Sequence, residues 1–293
     1  VPELPEVEVT RRQVVPLLVG RRVAAVHTTR PSYFFVTPPA TLRRRLAGRT
    51  TTEVARHGKY LLAALDDGSR LLLHLGMTGQ LFGAGARSVR LLSSTGGGTL
   101  SPEAQADGRV PDRHVHLRLV FEDGDRDLLF RDTRKFGKVA WIAPGASDPR
   151  LDRLGPDALG VDGLLLFAAS RRRTAPVKTL LLDQGVLAGV GNIYADEALF
   201  GAGVRPTRAA RRLTRSECDR LAEEIRRVLL RSIETGGSSI SDYVHPDGTD
   251  GGYQDERRVY ARTGERCLRC GEGVIARRVI GGRSSHFCPR CQR

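Results

Sequence analysis

Residues 2 and 3 set a secondary amine beside a carboxylate in the opening stretch Val1-Pro2-Glu3-Leu4-Pro5-Glu6-Val7-Glu8. If Val1 stands at the initiator position and is removed, Pro2 offers a free amine. An α-amine titrates near about 8 and lysine near about 10.4, so at pH 7 roughly 10% of the former and under roughly 0.1% of the latter is neutral and nucleophilic. A Schiff base on proline is an iminium that cannot relax to a neutral imine, so it stays an electron sink for elimination. The same residues also make a plain helix start, with Pro5 at the first helical position and Glu6 and Glu8 at the positive end of the dipole. Taken by themselves, the eight residues favour that second reading.

The other chemical signals lie far along the chain. Cys267-x2-Cys270 and Cys288-x2-Cys291, separated by 17 residues, have the spacing of a four-thiolate zinc site. Four protein ligands leave no open position, so such a site is structural. Between the pairs, Arg283 follows Gly281-Gly282, a tip suited to phosphate or minor-groove contact. Gly189-Val190-Gly191-Asn192 is a glycine turn opening a helix and could aim backbone N–H groups and the Asn192 amide at a phosphate. It lacks the third glycine and the preceding strand of a dinucleotide fingerprint. Three shorter motifs are Arg56-His57-Gly58-Lys59-Tyr60, His74-Leu75-Gly76-Met77 and Arg131-Asp132-Thr133-Arg134-Lys135-Phe136-Gly137. Singly, they read as a strand-end lysine, a core methionine and a surface turn.

The elements that must position these residues follow from periodicity. A helix is expected from Pro5 to about Leu18, closed by Gly20, with Pro16 kinking or ending it early. Strands are expected at 22–28, 50–56, 59–65, 70–75, 114–121, 126–131 and 137–143, with a short basic helix from Thr37-Pro38 to Leu46. The first half is therefore mainly antiparallel β, a sandwich or barrel, interrupted by a Gly-, Ser- and Arg-rich insertion at 83–111. Composition shifts at Pro144 to Pro156, a linker, and helical signals dominate beyond it. Thr214 and Glu217 form a capping box before the apolar stripe Leu221, Ile225, Val228 and Leu229. A glycine-rich loop at 236–256 follows, long enough to be functional. The expected order is an α+β chain with a β domain at 1–150, a helical domain at 151–256 and a cysteine module at 257–293.

Composition narrows the partners. In 293 residues, 47 Lys and Arg against 33 Asp and Glu give a net charge of +14, mostly from arginine. That excess points to a polyanion, with nucleic acid leading. The absence of a long apolar run and of a charged-then-apolar leader leads us to expect neither membrane spanning nor secretion, and an odd count of five cysteines, four in a metal-like pattern with Cys218 apart, suggests a reducing compartment, the cytoplasm.

Taken together, PELPEVE at the start, GKYLL at 58–62, HLGMTG at 74–79, RDTRKFG at 131–137, GVGNIYADEALF at 189–200 and the double CxxC resemble the formamidopyrimidine-DNA glycosylase and endonuclease VIII family. The resemblance runs over nearly the whole chain. It implies an N-terminal antiparallel β-sandwich, a helix-two-turn-helix domain and a zinc finger hairpin with one structural zinc. It also implies a base-excision repair enzyme, a glycosylase with abasic-site lyase activity, acting as a nucleoid-associated monomer on duplex DNA that carries oxidised bases or abasic sites. By resemblance Pro2 is the nucleophile, Glu3 the acid assisting ring opening, Lys59 the proton donor for β-elimination and Arg283 the arginine serving δ-elimination. Lys178 and Asn192 match phosphate grips, and His114 and Arg173 match further DNA contacts. Met77, Arg134 and Phe136 match the wedge that fills the stack when a base is turned out, and the loop from Gly236 matches a cap over that base. Oxidised purines are the expected lesions. An oxidised-pyrimidine enzyme and a non-catalytic DNA-binding relative are the alternatives. Val1 departs from the family's initiator methionine, and the 83–111 insertion is longer than the family usually carries.

Overall fold

The computed structural model describes residues 2–85, 113–239 and 250–293. The insertion at 83–111 falls mostly outside the described residues, as do Val1 and the centre of the glycine-rich loop.

By their contacts the described residues divide into two units, 1–148 with 236–252, and 149–235 with 253–293. The division differs from three consecutive segments. The base of the glycine-rich loop joins the first unit because the buried Glu6 carboxylate accepts a 2.8 Å hydrogen bond from the Ser238 amide. The cysteine module joins the second because Cys267, Ile275 and Cys288 share a small core with Phe200 and Val259.

In the first unit, helix α1 (Leu4–Leu18) is followed by β1 (Val23–Thr28), α2 (Pro39–Leu46), β2 (Thr51–His57), β3 (Tyr60–Leu65), β4 (Arg70–His74), β5 (Gly79–Gly83), β6 (Val115–Phe121), β7 (Leu128–Asp132) and β8 (Lys138–Ile142). They form two four-stranded sheets, ordered β1-β6-β7-β5 and β2-β3-β4-β8, with every named pair antiparallel. Alternating burial along β3 turns Leu61, Ala63 and Leu65 inward, where they share one apolar core with Leu73, Leu117, Phe130 and Val139 from other strands of both sheets. Helix α1 adds Val7, Val14 and Leu18 to that core. Pro16 does not end α1. It stands in the last turn, where its missing N–H deprives only one carbonyl, and the Val19 amide closes the turn on Val15 at 2.9 Å.

The second unit holds α3 (Pro149–Asp152), α4 (Gly163–Ser170), α5 (Val177–Leu182), α6 (Asn192–Ala202), α7 (Arg215–Glu234) and the hairpin β9 (Ala276–Ile280) with β10 (Arg283–Phe287). The capping box at the start of α7 forms as expected: Thr214 Oγ1 accepts from the Glu217 amide at 3.2 Å, and Glu217 Oε2 accepts from the Thr214 amide at 2.8 Å. Its apolar face packs on α4 and α6, and Leu221, Ile225, Val228 and Leu229 are all buried. Among the described residues no helix is long and apolar enough to cross a membrane.

Candidate active site and nucleic-acid interface

Pro2 and Glu3 precede α1, and both are buried. Glu6 fixes this start: one carboxylate oxygen accepts from the Glu3 amide at 2.8 Å and the other from Ser238. The left-handed Gly237 (φ +81°) allows that approach, since a Cβ there would come within 3.1 Å of Glu6 Oε1. Gly251 donates to Ser239 Oγ at 2.9 Å, so the two ends of the glycine-rich loop are pinned together against α1.

Lys59 occupies a two-residue turn, Gly58-Lys59, between the paired His57 and Tyr60. Gly58 has φ +55°, the glycine-first geometry of a type II′ hairpin. Arg56 ties this turn to α1, its Nε donating to Glu8 Oε2 at 3.1 Å and its Nη1 to the Gly58 carbonyl at 2.9 Å. Burial would raise the Glu8 pKa, but hydrogen bonds from Arg11, Arg12 and Arg56 and the charge of Arg11 outweigh it and hold the carboxyl at about 2. His74 ends β4, opposite Tyr60 in the adjacent strand. Burial, with Lys59 and Lys138 nearby, lowers its pKa to about 4, and Nδ1 accepts from the Gly76 amide at 3.1 Å. The ring is therefore neutral near pH 7, with its remaining proton on Nε2.

The turns that carry Met77 and Phe136 come together through backbone crowding. A Cβ on Gly76 would lie 2.5 Å from the Gly137 nitrogen, so the β4–β5 turn sits directly on the β7–β8 turn. Asp132, with no exposure, organises the second turn. Its carboxylate accepts from Gly137 at 2.7 Å, from Arg134 at 3.2 Å and from the Thr78 hydroxyl. Lys135 is held at φ +58°, a left-handed conformation costly for a side chain with a Cβ. The result presents Arg134 and Phe136 outward, the guanidinium 4.7 Å from the ring centroid. His114 joins this group, its carbonyl accepting from the Asp132 amide at 2.9 Å.

In the second unit, Gly281 (φ +54°) and Gly282 (φ +73°) form the two-residue turn before Arg283, which is exposed. The four cysteine sulfurs below it lie within 4.8 Å of one another. Tetrahedral Zn–S bonds of ~2.3 Å imply sulfur–sulfur edges of ~3.8 Å. Cys267 to Cys291 measures 3.8 Å and Cys270 to Cys288 measures 3.9 Å, so the cluster fits one zinc ion. Gly273 is required here, because a Cβ would fall 2.5 Å from Cys288 Sγ. Cys218 lies apart, buried on α7.

Asn192 begins α6, as its motif suggests, and Arg173 stands at the surface paired with Asp183 at 2.9 Å. Lys178 behaves differently. It has no exposure, its ammonium pairs with Asp196 at 2.7 Å and donates to the Ser284 carbonyl at 2.9 Å, and Asp196 also accepts from the His286 amide at 2.8 Å. Lys178, expected as a phosphate grip, is thus enclosed, its ammonium joining α5, α6 and β10. The neighbouring Glu197 accepts from the amides of Arg258, Val259 and Tyr260 at 2.9 to 3.1 Å. Asp132, Asp196 and Glu197 escaped sequence reasoning, although each lies inside a quoted motif; for Asp196 and Glu197 the available signal is a pair of acidic residues inside an otherwise apolar helix.

Three family models match in chain order: the formamidopyrimidine-DNA glycosylase N-terminal domain at 1–139, the H2TH domain of the same enzyme at 154–244, and the zinc finger found in FPG and IleRS at 264–293. The chain belongs to the formamidopyrimidine-DNA glycosylase family. A member from Thioalkalivibrio sulfidiphilus is 43% identical over 295 residues, covering all of both chains. The crystal structure of MutM (Fpg) from Thermus thermophilus is 40% identical with TM-score 0.82, covering 99% of this chain and 98% of the other. Lactococcus lactis Fpg bound to abasic-site DNA is 33% identical with TM-score 0.83, covering the whole of both. Against this family frame, the cysteine cluster is its zinc finger, and the Gly281-Gly282 tip belongs to that finger.

Proposed function

We propose that the protein is a bifunctional DNA glycosylase and abasic-site lyase that removes oxidised purines, formamidopyrimidines and 8-oxoguanine, from duplex DNA and cleaves the strand by β,δ-elimination. The observation that carries this reading is the buried Pro2–Glu3 pair, held by Glu6 at the start of α1. A module that only binds DNA has no use for a buried carboxylate beside a secondary amine. The Pro2 amine, once free, attacks the deoxyribose C1′, and the glycosidic bond breaks with its electron pair leaving on the base, which takes up the proton shed by the attacking amine. Glu3 gives its proton to the opening sugar ring, and an iminium remains on Pro2. That iminium acidifies C2′, so loss of the C2′ proton expels the 3′ phosphate, for which Lys59 is the proton donor. A second elimination expels the 5′ phosphate, served by Arg283.

Asn192, His114 and Arg173 are the phosphate and groove contacts. The Arg173–Asp183 pair is exposed and worth little, so a phosphate can displace Asp183. Met77, Arg134 and Phe136 fill the stack while the damaged nucleotide is extruded, which costs a few kcal/mol. The protein acts as a monomer on chromosomal DNA in the cytoplasm. A second reading, action on oxidised pyrimidines, is favoured by one observation: a Lactococcus lactis Fpg relative at 33% identity was crystallised on DNA containing an oxidised pyrimidine.

Borohydride trapping on duplexes carrying either an oxidised guanine or an oxidised pyrimidine separates these readings. The expected adduct forms faster on oxidised guanine and maps to Pro2 in protein whose intact mass lacks Val1. Glu3→Gln is expected to lower base excision by ~10² to 10⁴-fold while sparing cleavage at a preformed abasic site, whose sugar is already partly open. An adduct on Lys59, or full activity with Val1 retained, overturns the nucleophile assignment.

A further inference from the structure

Tyr33 lies between β1 and α2 and is 58% exposed. Its neighbours Phe34 and Phe35 are buried, so the chain turns two aromatics inward and leaves this one outside. The exposed ring is nonetheless held. Its hydroxyl donates to the Arg134 carbonyl at 2.7 Å, its centroid lies 6.4 Å from that of Phe136 at a 50° tilt, and Lys138 Nζ stands 4.7 Å over its face. Arg134 in turn covers Phe136. Two cations and two rings therefore make one continuous outward face, of which only Arg134 and Phe136 have a role so far.

We propose that Tyr33 is a positioning and specificity residue of the wedge. It acts on the Arg134–Phe136 turn from outside the loop and widens the face that meets the base left unpaired on the undamaged strand. The inference rests on the glycosylase reading above. Its physical basis is the strain at Lys135, whose left-handed backbone follows Arg134 directly. Asp132 holds that turn from beneath through the Arg134 and Gly137 amides, and Tyr33 holds it from above through the Arg134 carbonyl. Freed at the carbonyl, the turn can relax, and the Arg134 guanidinium loses its fixed height over the Phe136 ring. A stacked ring and a positioned guanidinium discriminate between bases by shape and by hydrogen bonds, so the loss falls on opposite-base preference more than on affinity for DNA.

The test uses the full-length protein with Tyr33→Phe, Tyr33→Ala and Phe136→Ala. Single-turnover excision is measured on oxidised-guanine duplexes with cytosine or adenine opposite, beside undamaged-duplex affinity and cleavage of a preformed abasic site. Tyr33→Phe keeps the ring and loses the hydrogen bond, and is expected to slow excision by about two- to tenfold. Tyr33→Ala is expected to slow it further and to change the cytosine-to-adenine rate ratio by at least about threefold, with undamaged-duplex affinity within about twofold. Melting temperatures near the parent's are expected, since the ring is exposed. An unchanged excision rate and ratio in Tyr33→Ala overturns the proposal, as does an equal loss in excision and in undamaged-duplex affinity, which marks Tyr33 as an ordinary DNA contact. Phe136→Ala isolates the parent reading: if it too leaves excision and ratio intact, the wedge reading fails, and if it alone changes them, only the role of Tyr33 fails.

Discussion

Two tight turns in this molecule present arginine at an exposed tip, the Asp132–Gly137 turn of the first unit and the Gly281-Gly282 hairpin of the second. Both are anchored by buried carboxylates that accept backbone amides, Asp132 within the first turn and Asp196, through the His286 amide of β10, in the second. What lies beneath them differs. The first rests on a core shared by α1 and two sheets, in which Phe34, Phe130 and Val139 are fully buried. Beneath the second lies a core of five buried residues, two of them cysteines. A module that small cannot bury enough apolar surface to offset the entropy of ordering it, so it depends on a metal and on buried charge. The β turn has redundant apolar support, whereas the finger turn leans on its metal and on buried charge.

Metal removal should break the comparison most sharply. Structural zinc in finger modules contributes about 10 to 16 kcal/mol of apparent binding free energy, which is folding free energy. Chelation, or Cys270→Ala, should abolish hydrogen-exchange protection across 264–293 and weaken DNA binding through loss of the Arg283 tip. Strands β2 to β4 should keep their protection. A finger that stays protected without zinc would mean that its apolar core suffices.

Removing the buried charge comes next in size. Lys178→Ala leaves the Asp196 carboxylate in the interior without its ammonium partner, and breaking such a pair costs about 3 to 5 kcal/mol. Urea unfolding should show this loss in the second unit. The salt dependence of DNA affinity sharpens the point. A lost phosphate contact lowers the slope of log K against log salt by about 1, whereas a lost structural charge leaves the slope of the folded fraction unchanged. A reduced slope with little destabilisation would restore the phosphate role.

These two experiments also mark where sequence stops being sufficient. The strands at 59–75 and 114–131 could be read because alternation and the Asp67-Gly68 and Asp123-Gly124 turns are local signals. The zinc ligands could be read because CxxC spacing is nearly a geometric statement. Strand β5 was hidden, since Gly79 and Gly83 bound a run too short for periodicity and its first residue belongs to the methionine turn. The fate of Lys178 was hidden for a different reason. A lysine in a short helix looks the same whether it meets solvent or a carboxylate, and the partners Asp196 and Ser284 reach it only through tertiary packing. The same holds for Glu6, which reads as a helix-dipole residue until the chain returns more than two hundred positions later to place Ser238 against it.

The smallest expected effect, and the finest test of redundancy in the first unit, concerns Glu8. Its pKa falls from 4.5 to about 2 in the folded chain, because three arginines outweigh the cost of burial. A depressed carboxyl pKa means that the unfolded chain binds the proton more readily. The stabilisation is therefore complete above pH 4.5, shrinks as pH falls through that value, and is gone once the pH passes below about 2. Because Arg11 and Arg12 keep solvent contact, the net contribution at pH 7 should be about 1 to 2 kcal/mol rather than the full value of the shift. Glu8→Gln should lower the stability of the first unit by that amount at pH 7 and converge on the parent as the pH approaches 2. Thiolate ligands are protonated well above that pH, so the finger should release its metal while Glu8 still holds Arg56 and the Lys59 turn. Acid titration followed by hydrogen exchange should then show the second unit losing protection first. If the first unit opens at the same pH, or if Glu8→Gln costs as much at pH 3 as at pH 7, the arginine cluster is not what ties the Lys59 turn to α1.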